Sequence, residues 1–359
     1  MTAVASRTDR LTGRLAEREL DALLVTEPLD VRYLSGFTGD NALVVVGPDA
    51  RVFVTDFRYV EQAADQVRGF DRREGSRDLL DAVGPALPDR STLRLGFDDE
   101  RMSVRTHARL GELLGAGVEL VGAGGVVGAL RAVKAPDELE RIAAAAALAD
   151  EALGEVLGTG LAGRAERDVA LALELAMRRR GAEALSFPPI VASGPHGALP
   201  HAEPRPVIIE SGCLVTVDWG AQLDGYCSDC TRTVACGTPG GEAREIHALV
   251  LAAQQEAVAA VGAGRGGREL DAVARDRIVA AGYGERFGHG LGHGVGLEVH
   301  EAPRLSRLSE DTLLAGNVVS VEPGVYLPGR LGVRIEDLVV VRDGGCDVLT
   351  HVDRGLEPF

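Results

Sequence analysis

Residues 288–303 read GHGLGHGVGLEVHEAP, and the reading of the whole chain turns on this stretch. Its alternating glycines are incompatible with a regular helix. They let backbone come close to a ligand or a metal ion. His289, His293 and His300 lie within twelve positions of one another. A lone histidine is more often a hydrogen-bonded core residue, but three this close beside acidic segments point to a site.

Working outward, VEPGVY follows around Glu322 and GVRIED around Glu336. Upstream, VDWGAQLDGYCSDCTRT carries Asp218 and, eleven positions later, Asp229. Between those acids stands Asp224-Gly225, a strong hairpin-turn signal. A turn there predicts both carboxylates on one face of a two-stranded ribbon. Glu322 and Glu336 adjoin apolar strand-type residues, where a carboxylate is costly to bury unless it is paired or metal-bound. For Glu336 a salt bridge to Arg334 is the structural alternative. Hard divalent cations take oxygen ligands, and borderline ones accept an imidazole among them. Four carboxylates and one histidine suffice for two such ions, an arrangement that activates water for hydrolysis.

The 359-residue length favours two domains. Residues 1–128 alternate helix and strand patterns and are expected to form a small α/β domain with a mixed sheet. Helices are predicted near 7–18, 59–67, 76–83 and 104–114, and strands near 21–26, 42–47, 51–56 and 92–98. The boundary falls at the glycine-punctuated 123–138 segment, where Pro136 opens a helix. Residues 129–359 read as an α+β domain, with long helices at 138–157, 166–180, 242–261 and 269–281 grouped around a curved antiparallel sheet.

Net charge is −16, from 54 acids and 38 bases, which argues against nucleic acid and anionic membranes as partners. Lys134 is the only lysine, a pattern of coding bias more than of chemistry. The five cysteines are odd in number and clustered, unlike a secreted disulfide framework. In the formal CxxC of Cys227 and Cys230, strand alternation points the two thiols apart. No apolar leader or 18-residue apolar run occurs, so a cytoplasmic, soluble protein is expected.

The order Asp218, Asp229, His293, Glu322, Glu336, in contexts SDCTRT, GHGVG, VEPGVY and RIED, resembles the pita-bread-fold metallopeptidases. That family includes methionine aminopeptidase, Xaa-Pro aminopeptidase and Xaa-Pro dipeptidase (prolidase). VRYLSGFTGDN from Val31 and TDFRYVEQA from Thr55 look like the creatinase-like N-terminal domain of the proline-directed branch, which methionine aminopeptidases generally lack. The resemblance covers nearly the whole chain. It implies hydrolysis of the bond before proline in short peptides, with two divalent ions per chain. Mn²⁺ is favoured by the carboxylate-rich set, with Co²⁺, Zn²⁺ and Fe²⁺ as competitors.

It further implies that Asp229 and Glu336 are shared between the ions, that Asp218 completes one, and that His293 with Glu322 completes the other. A metal-bound water is then the nucleophile. Glu322 shuttles its proton, and His201 and His300 hold the scissile carbonyl. Phe187 and His289 would line the pocket for the first two substrate residues, with Tyr326 and Arg334 supporting the metal carboxylates. A homodimer is implied as well, with the N-terminal domain limiting substrate length. Arg304 is a candidate clamp for a dipeptide carboxylate, or an ordinary surface arginine. The alternatives are another hydrolase of the fold, such as a methionine aminopeptidase or a small-molecule amidohydrolase, and a non-catalytic binding protein.

Overall fold

The computed structural model describes residues 3–356. Two compact units divide the chain, Met1–Arg131 and Ala132–Phe359. In the first unit, strands β1 (Ala22–Val25), β2 (Ala42–Gly47), β3 (Ala50–Thr55), β4 (Asp71–Glu74), β5 (Leu93–Phe97) and β6 (Val118–Gly122) form one sheet ordered β4-β3-β2-β1-β5-β6. The β1–β2 and β2–β3 pairs are antiparallel, whereas β3–β4, β1–β5 and β5–β6 are parallel. The mixed sheet expected from the alternating pattern is therefore present. Helices α1 (Ala3–Glu17), α2 (Pro28–Ser35), α3 (Val60–Gln66), α4 (Val83–Ala86), α5 (Val104–Leu114) and α6 (Val126–Ala132) accompany it.

Three departures from the sequence reading have local causes. Helix α2 has clear end signals, with Pro28 at its first position and Gly36 at φ 83° as its left-handed cap. It is short and only weakly periodic. Strand β4 (DRRE) is an exposed parallel edge, so no apolar alternation marks it. The helix expected over 76–83 is instead a 3-10 turn at Leu79–Ala82 followed by the single turn of α4, which contains Gly84 and Pro85.

The second unit opens with α7 (Pro136–Gly158), with Pro136 at its first turn, and α8 (Glu166–Arg179). Strands β7 (Ala184–Leu185), β8 (Ile190–Ser193), β9 (Cys213–Trp219), β10 (Ala221–Leu223), β11 (Tyr226–Cys227) and β12 (Cys230–Cys236) follow. Next come α9 (Gly241–Ala260) and α10 (Gly267–Ala280), then β13 (Gly292–Gly294), β14 (Glu301–Leu305), β15 (Val318–Val321), β16 (Gly324–Leu327), β17 (Leu331–Arg334), β18 (Asp337–Arg342) and β19 (Gly345–Val348).

Every pairing between these strands is antiparallel. The β8-β9-β12 sheet packs with α7 and α8 in one core, where Trp219 is fully buried and its indole N–H donates to the Ala149 carbonyl at 2.9 Å. Truncating such a core aromatic costs about 3–5 kcal/mol. The β14-β13-β15-β18-β19 sheet packs with α9 and α10 in a second core. The candidate site residues lie where the ends of β9, β12, β13, β15 and β17 converge. Among the described residues, no helix is long and apolar enough to cross a membrane.

Candidate metal centre and substrate cavity

Asp224 (φ 49°) and Gly225 (φ 81°) both take the left-handed conformation, as a tight primed turn requires. The turn pairs Leu223 with Tyr226 and folds β10 onto β11. Farther along, Asp218 on β9 faces Thr231 on β12, so Asp229 lies two positions off Asp218's partner. That diagonal keeps both carboxylates on one face. The Glu336 amide donates to the Thr231 carbonyl at 3.1 Å, which brings a third carboxylate to the same place. Ligand-type oxygens of Asp218, Asp229 and Glu336 lie within 4.8 Å of one another. His293 extends the group, with Nε2 3.6 Å from Asp229 Oδ2 and 3.2 Å from Glu322 Oε1.

The electrostatics of this cluster are unbalanced. Burial raises the pKa of Asp229, and repulsion from Glu336, Asp218 and Glu322 adds to the rise. Glu336 is likewise pushed well above the usual carboxylate range by burial and by Glu322 and Asp218. Burial also raises Asp218, although Arg334 opposes it. Glu322 differs: burial would raise it, but the hydrogen bond from His293 holds it down at about 2. Two buried oxygens, Asp218 Oδ1 and Glu336 Oε1, accept no hydrogen bond at all. Buried carboxylate oxygens without donors are costly. Divalent cations remove that cost, so the donor set fits them. The imidazole fits too: His293 Nδ1 lies 3.1 Å from the Gly294 carbonyl, and if it donates there, the Nε2 lone pair faces the acids.

A ring of donors fixes the cluster. The buried Arg334 guanidinium donates to Asp218 at 2.6 Å, to Thr231 Oγ1 at 3.0 Å, to the Tyr326 hydroxyl at 3.0 Å and to the Pro200 carbonyl at 3.1 Å. Arg334 thus pairs with Asp218 and not with Glu336, whose bond instead comes from Thr231 at 2.7 Å. Tyr326 reaches His289 Nε2 at 2.8 Å. Ser320 accepts from the His293 amide at 3.0 Å and donates to Glu322 at 3.2 Å.

Beside the acids is a cavity of about 590 Å³ whose walls include Phe187, Ile190, His201, Val299, His300 and Arg304. Asp218, Asp229, His293, Glu322 and Glu336 form its polar end, with His289 and Arg334 adjoining. Tyr326 stands behind Arg334 and His289. The His300 ring is 4.2 Å from that of His293. Burial and the neighbouring His293 lower the His300 pKa, which favours the neutral ring. His201 is exposed on the loop after Pro200. Arg304 is exposed, and no acid among the described residues pairs with its side chain. Cys227 and Cys230 are free and buried, and their thiols approach different carbonyls, those of Leu297 and Glu336.

Residues 140–343 match the model of metallopeptidase family M24, and residues 7–133 match the creatinase/prolidase N-terminal domain. The chain belongs to metallopeptidase family M24. An uncharacterized peptidase, YqhT, of Bacillus subtilis is 42% identical over 348 residues, spanning 97% of this chain and 98% of its own. The solved Xaa-Pro dipeptidase from Bacillus anthracis superposes with a TM-score of 0.95 at 39% identity, covering 99% of this chain and 100% of that one. An X-Pro aminopeptidase structure from Thermotoga maritima gives 0.90 at 37% identity, with 98% and 100% covered.

The sequence reading of this M24 site did not assign Thr231, Ser320 or the Pro200 carbonyl. Thr231 stands in the quoted SDCTRT, but a threonine in a strand carries no mark of its hydroxyl's partner. Ser320 sits two before Glu322 on β15, and strand alternation alone would have placed both on one face.

Proposed function

We propose that this enzyme hydrolyses the peptide bond before proline in short peptides, with the dipeptidase reaction favoured, and that it works with two divalent metal ions. The observation that carries the reading is the buried acidic cluster with donor-free oxygens lining a cavity of about 590 Å³. The ions, when bound, polarise the scissile carbonyl and supply an activated water. Asp218, Asp229, His293, Glu322 and Glu336 would hold them, Asp229 and Glu336 contributing to both, Asp218 to one and His293 with Glu322 to the other. Mn²⁺ is the favoured metal for so oxygen-rich a set. Glu322 passes a proton to the departing proline nitrogen. His201 and His300 hold the carbonyl oxygen as it gains charge. Phe187 and His289 form walls for the first two residues, while Arg334 and Tyr326 keep Asp218 and His289 in place.

Arg304 favours the dipeptidase. A cavity-lining guanidinium without an internal acid partner suits a free substrate carboxylate, which it can grip bidentately. The solved relatives include both an Xaa-Pro dipeptidase and an X-Pro aminopeptidase, and on this reading Arg304 supports the former. The proposal further includes a homodimer working in the cytoplasm, where an acidic protein avoids nucleic acid and anionic membrane surfaces.

The test compares an Xaa-Pro dipeptide, its C-terminal amide and an Xaa-Pro-Yaa tripeptide. Exhaustive chelation should abolish activity, and Mn²⁺ or Co²⁺ should restore it; full activity of metal-free protein refutes the mechanism. Arg304→Ala should raise KM more than tenfold for the dipeptide and much less for the amide, since a charge-assisted hydrogen bond is worth on the order of 1.5–3 kcal/mol. Equal effects on both make Arg304 structural and favour the aminopeptidase.

A further inference from the structure

Lys134 is the one lysine among 38 Lys and Arg residues. Every other basic side chain of the two types in this chain is an arginine. Its side chain is 1% exposed, and its ammonium donates to Glu301 Oε1 at 2.5 Å, the Glu301 side chain being 8% exposed. The same ammonium lies 3.3 Å from the Ala132 carbonyl. A buried ion pair is favourable only with close geometry and satisfied hydrogen bonds. A compact ammonium and a planar five-donor guanidinium do not occupy the same space, so arginine is no conservative replacement here.

Both ends of this pair are tied to the cavity. The Lys134 amide donates to the Gly316 carbonyl at 2.9 Å, and the Asn317 side chain donates to the Ala132 carbonyl at 2.8 Å. Segment 132–134 is therefore fastened to the entrance of β15, the strand that leads to Glu322. Glu301 opens β14, which pairs with β13 through Gly294 opposite Glu301, with a register shift after His293. The Glu301 carboxylate lies against Gly296, where a Cβ would come within 2.5 Å of Oε1. Gly296 also donates to the Glu298 carbonyl at 2.9 Å, and its own carbonyl accepts from Cys227 at 2.8 Å. The link from Lys134 thus fixes the turn between His293 and His300, two rings 4.2 Å apart.

We propose that Lys134 and Glu301 are positioning residues for His300, the buried ammonium–carboxylate link setting the 294–301 turn so that the imidazole meets the substrate carbonyl. The proposal rests on the role given to His300 above. It accounts for the single lysine, for the glycine at 296 and for the burial of a charged pair one residue from a reacting side chain.

A mutant cycle tests it on the Mn²⁺-loaded enzyme, with metal content and Tm measured for every variant. His300→Ala is expected to lower kcat about 10²-fold, the scale of a lost oxyanion donor. Lys134→Arg is expected to lower kcat by between about tenfold and 10²-fold, the scale of an ångström-sized misplacement. Its KM should stay within about twofold of wild type and its metal content unchanged. In the His300→Ala background the same change should have no further effect on kcat. Glu301→Gln, which preserves size, gives the same comparison if Lys134→Arg does not fold.

Wild-type kcat in Lys134→Arg overturns the proposal, as does an equal fold-loss with and without His300. Wild-type kcat in His300→Ala overturns the assignment of His300 itself, and the proposal with it. An impaired His300→Ala beside additive losses sinks the positioning role alone.

Discussion

Glu336 and Asp337 share a peptide bond, yet their side chains enter two different buried polar networks. Asp337 is fully buried, and its oxygens accept from Arg232 at 2.9 Å, Thr350 at 2.9 Å, Gln254 at 2.5 Å and Arg354 at 2.5 Å. Burial would raise its pKa, but Arg232 and Arg354 prevail and lower it. Glu336 accepts one bond from Thr231, keeps one oxygen bare and faces further carboxylates; burial raises its pKa, and repulsion from Glu322 and Asp218 adds to the rise. Glu166 belongs with Asp337: Ser193, His196 and Arg205 all hydrogen-bond to it. Burial alone would raise its pKa, but Arg205 and Ser193 bring it to about 2. Burial therefore does not mark a functional acid. What sets the candidate site apart is bare carboxylate oxygens, at Asp218 and Glu336, crowded with Asp229 among like charges, whereas Asp337 and Glu166 are neutralised by their own chain.

The largest expected effect breaks the deficient side. Asp229→Ala should reduce bound metal below two ions per chain and lower activity by roughly 10³-fold or more, since a lost metal withdraws several kcal/mol of transition-state stabilisation. Metal analysis beside kinetics checks it, and two tightly held ions in that variant would show that the ligand set is misassigned.

The next experiment sets the two neighbours against each other in metal-stripped protein. Asp337→Asn leaves Arg232 buried without its counter-charge and should destabilise by about 3 kcal/mol. Glu336→Gln removes repulsion and should raise Tm by a few degrees. Denaturation of the two variants side by side reads the opposite signs, and matching signs would erase the distinction between the two networks.

The smallest effect is a pH dependence. Glu166 has a folded pKa of about 2 against an ordinary 4.5, so its ionised form is favoured by folding. The stabilisation, on the order of 1–3 kcal/mol, is fully present above pH about 4.5 and is lost as pH falls toward about 2. The stability gap between wild type and Glu166→Gln should therefore close on acidification through that window. A gap independent of pH would mean that the carboxylate's charge contributes nothing.

Much of the fold was legible because its signals are local. The short continuous apolar runs at 42–47, 51–55 and 337–342 mark strands, Pro136 marks the start of α7, and Asp224-Gly225 marks the turn between β10 and β11. Strand β4 was not legible, because an exposed edge strand of charged residues buries nothing and so shows no pattern. The candidate site was legible in its residue types for a related reason: acids among apolar strand residues, and histidines among alternating glycines, are costly without a site to justify them.

Sequence by itself determined the inventory: four acids and a histidine of metal-ligand type, the glycines that permit close approach, and one lysine in an arginine-rich chain. Only the tertiary structure decided which partner each charge takes. Arg334, two residues from Glu336, bonds instead to Asp218, 116 positions away. Thr231 reaches Glu336 across 105 positions, and Lys134 reaches Glu301 across 167. The physical reason is that strand alternation fixes which face a side chain occupies, whereas hydrogen-bond partners are set by what the chain packs against that face.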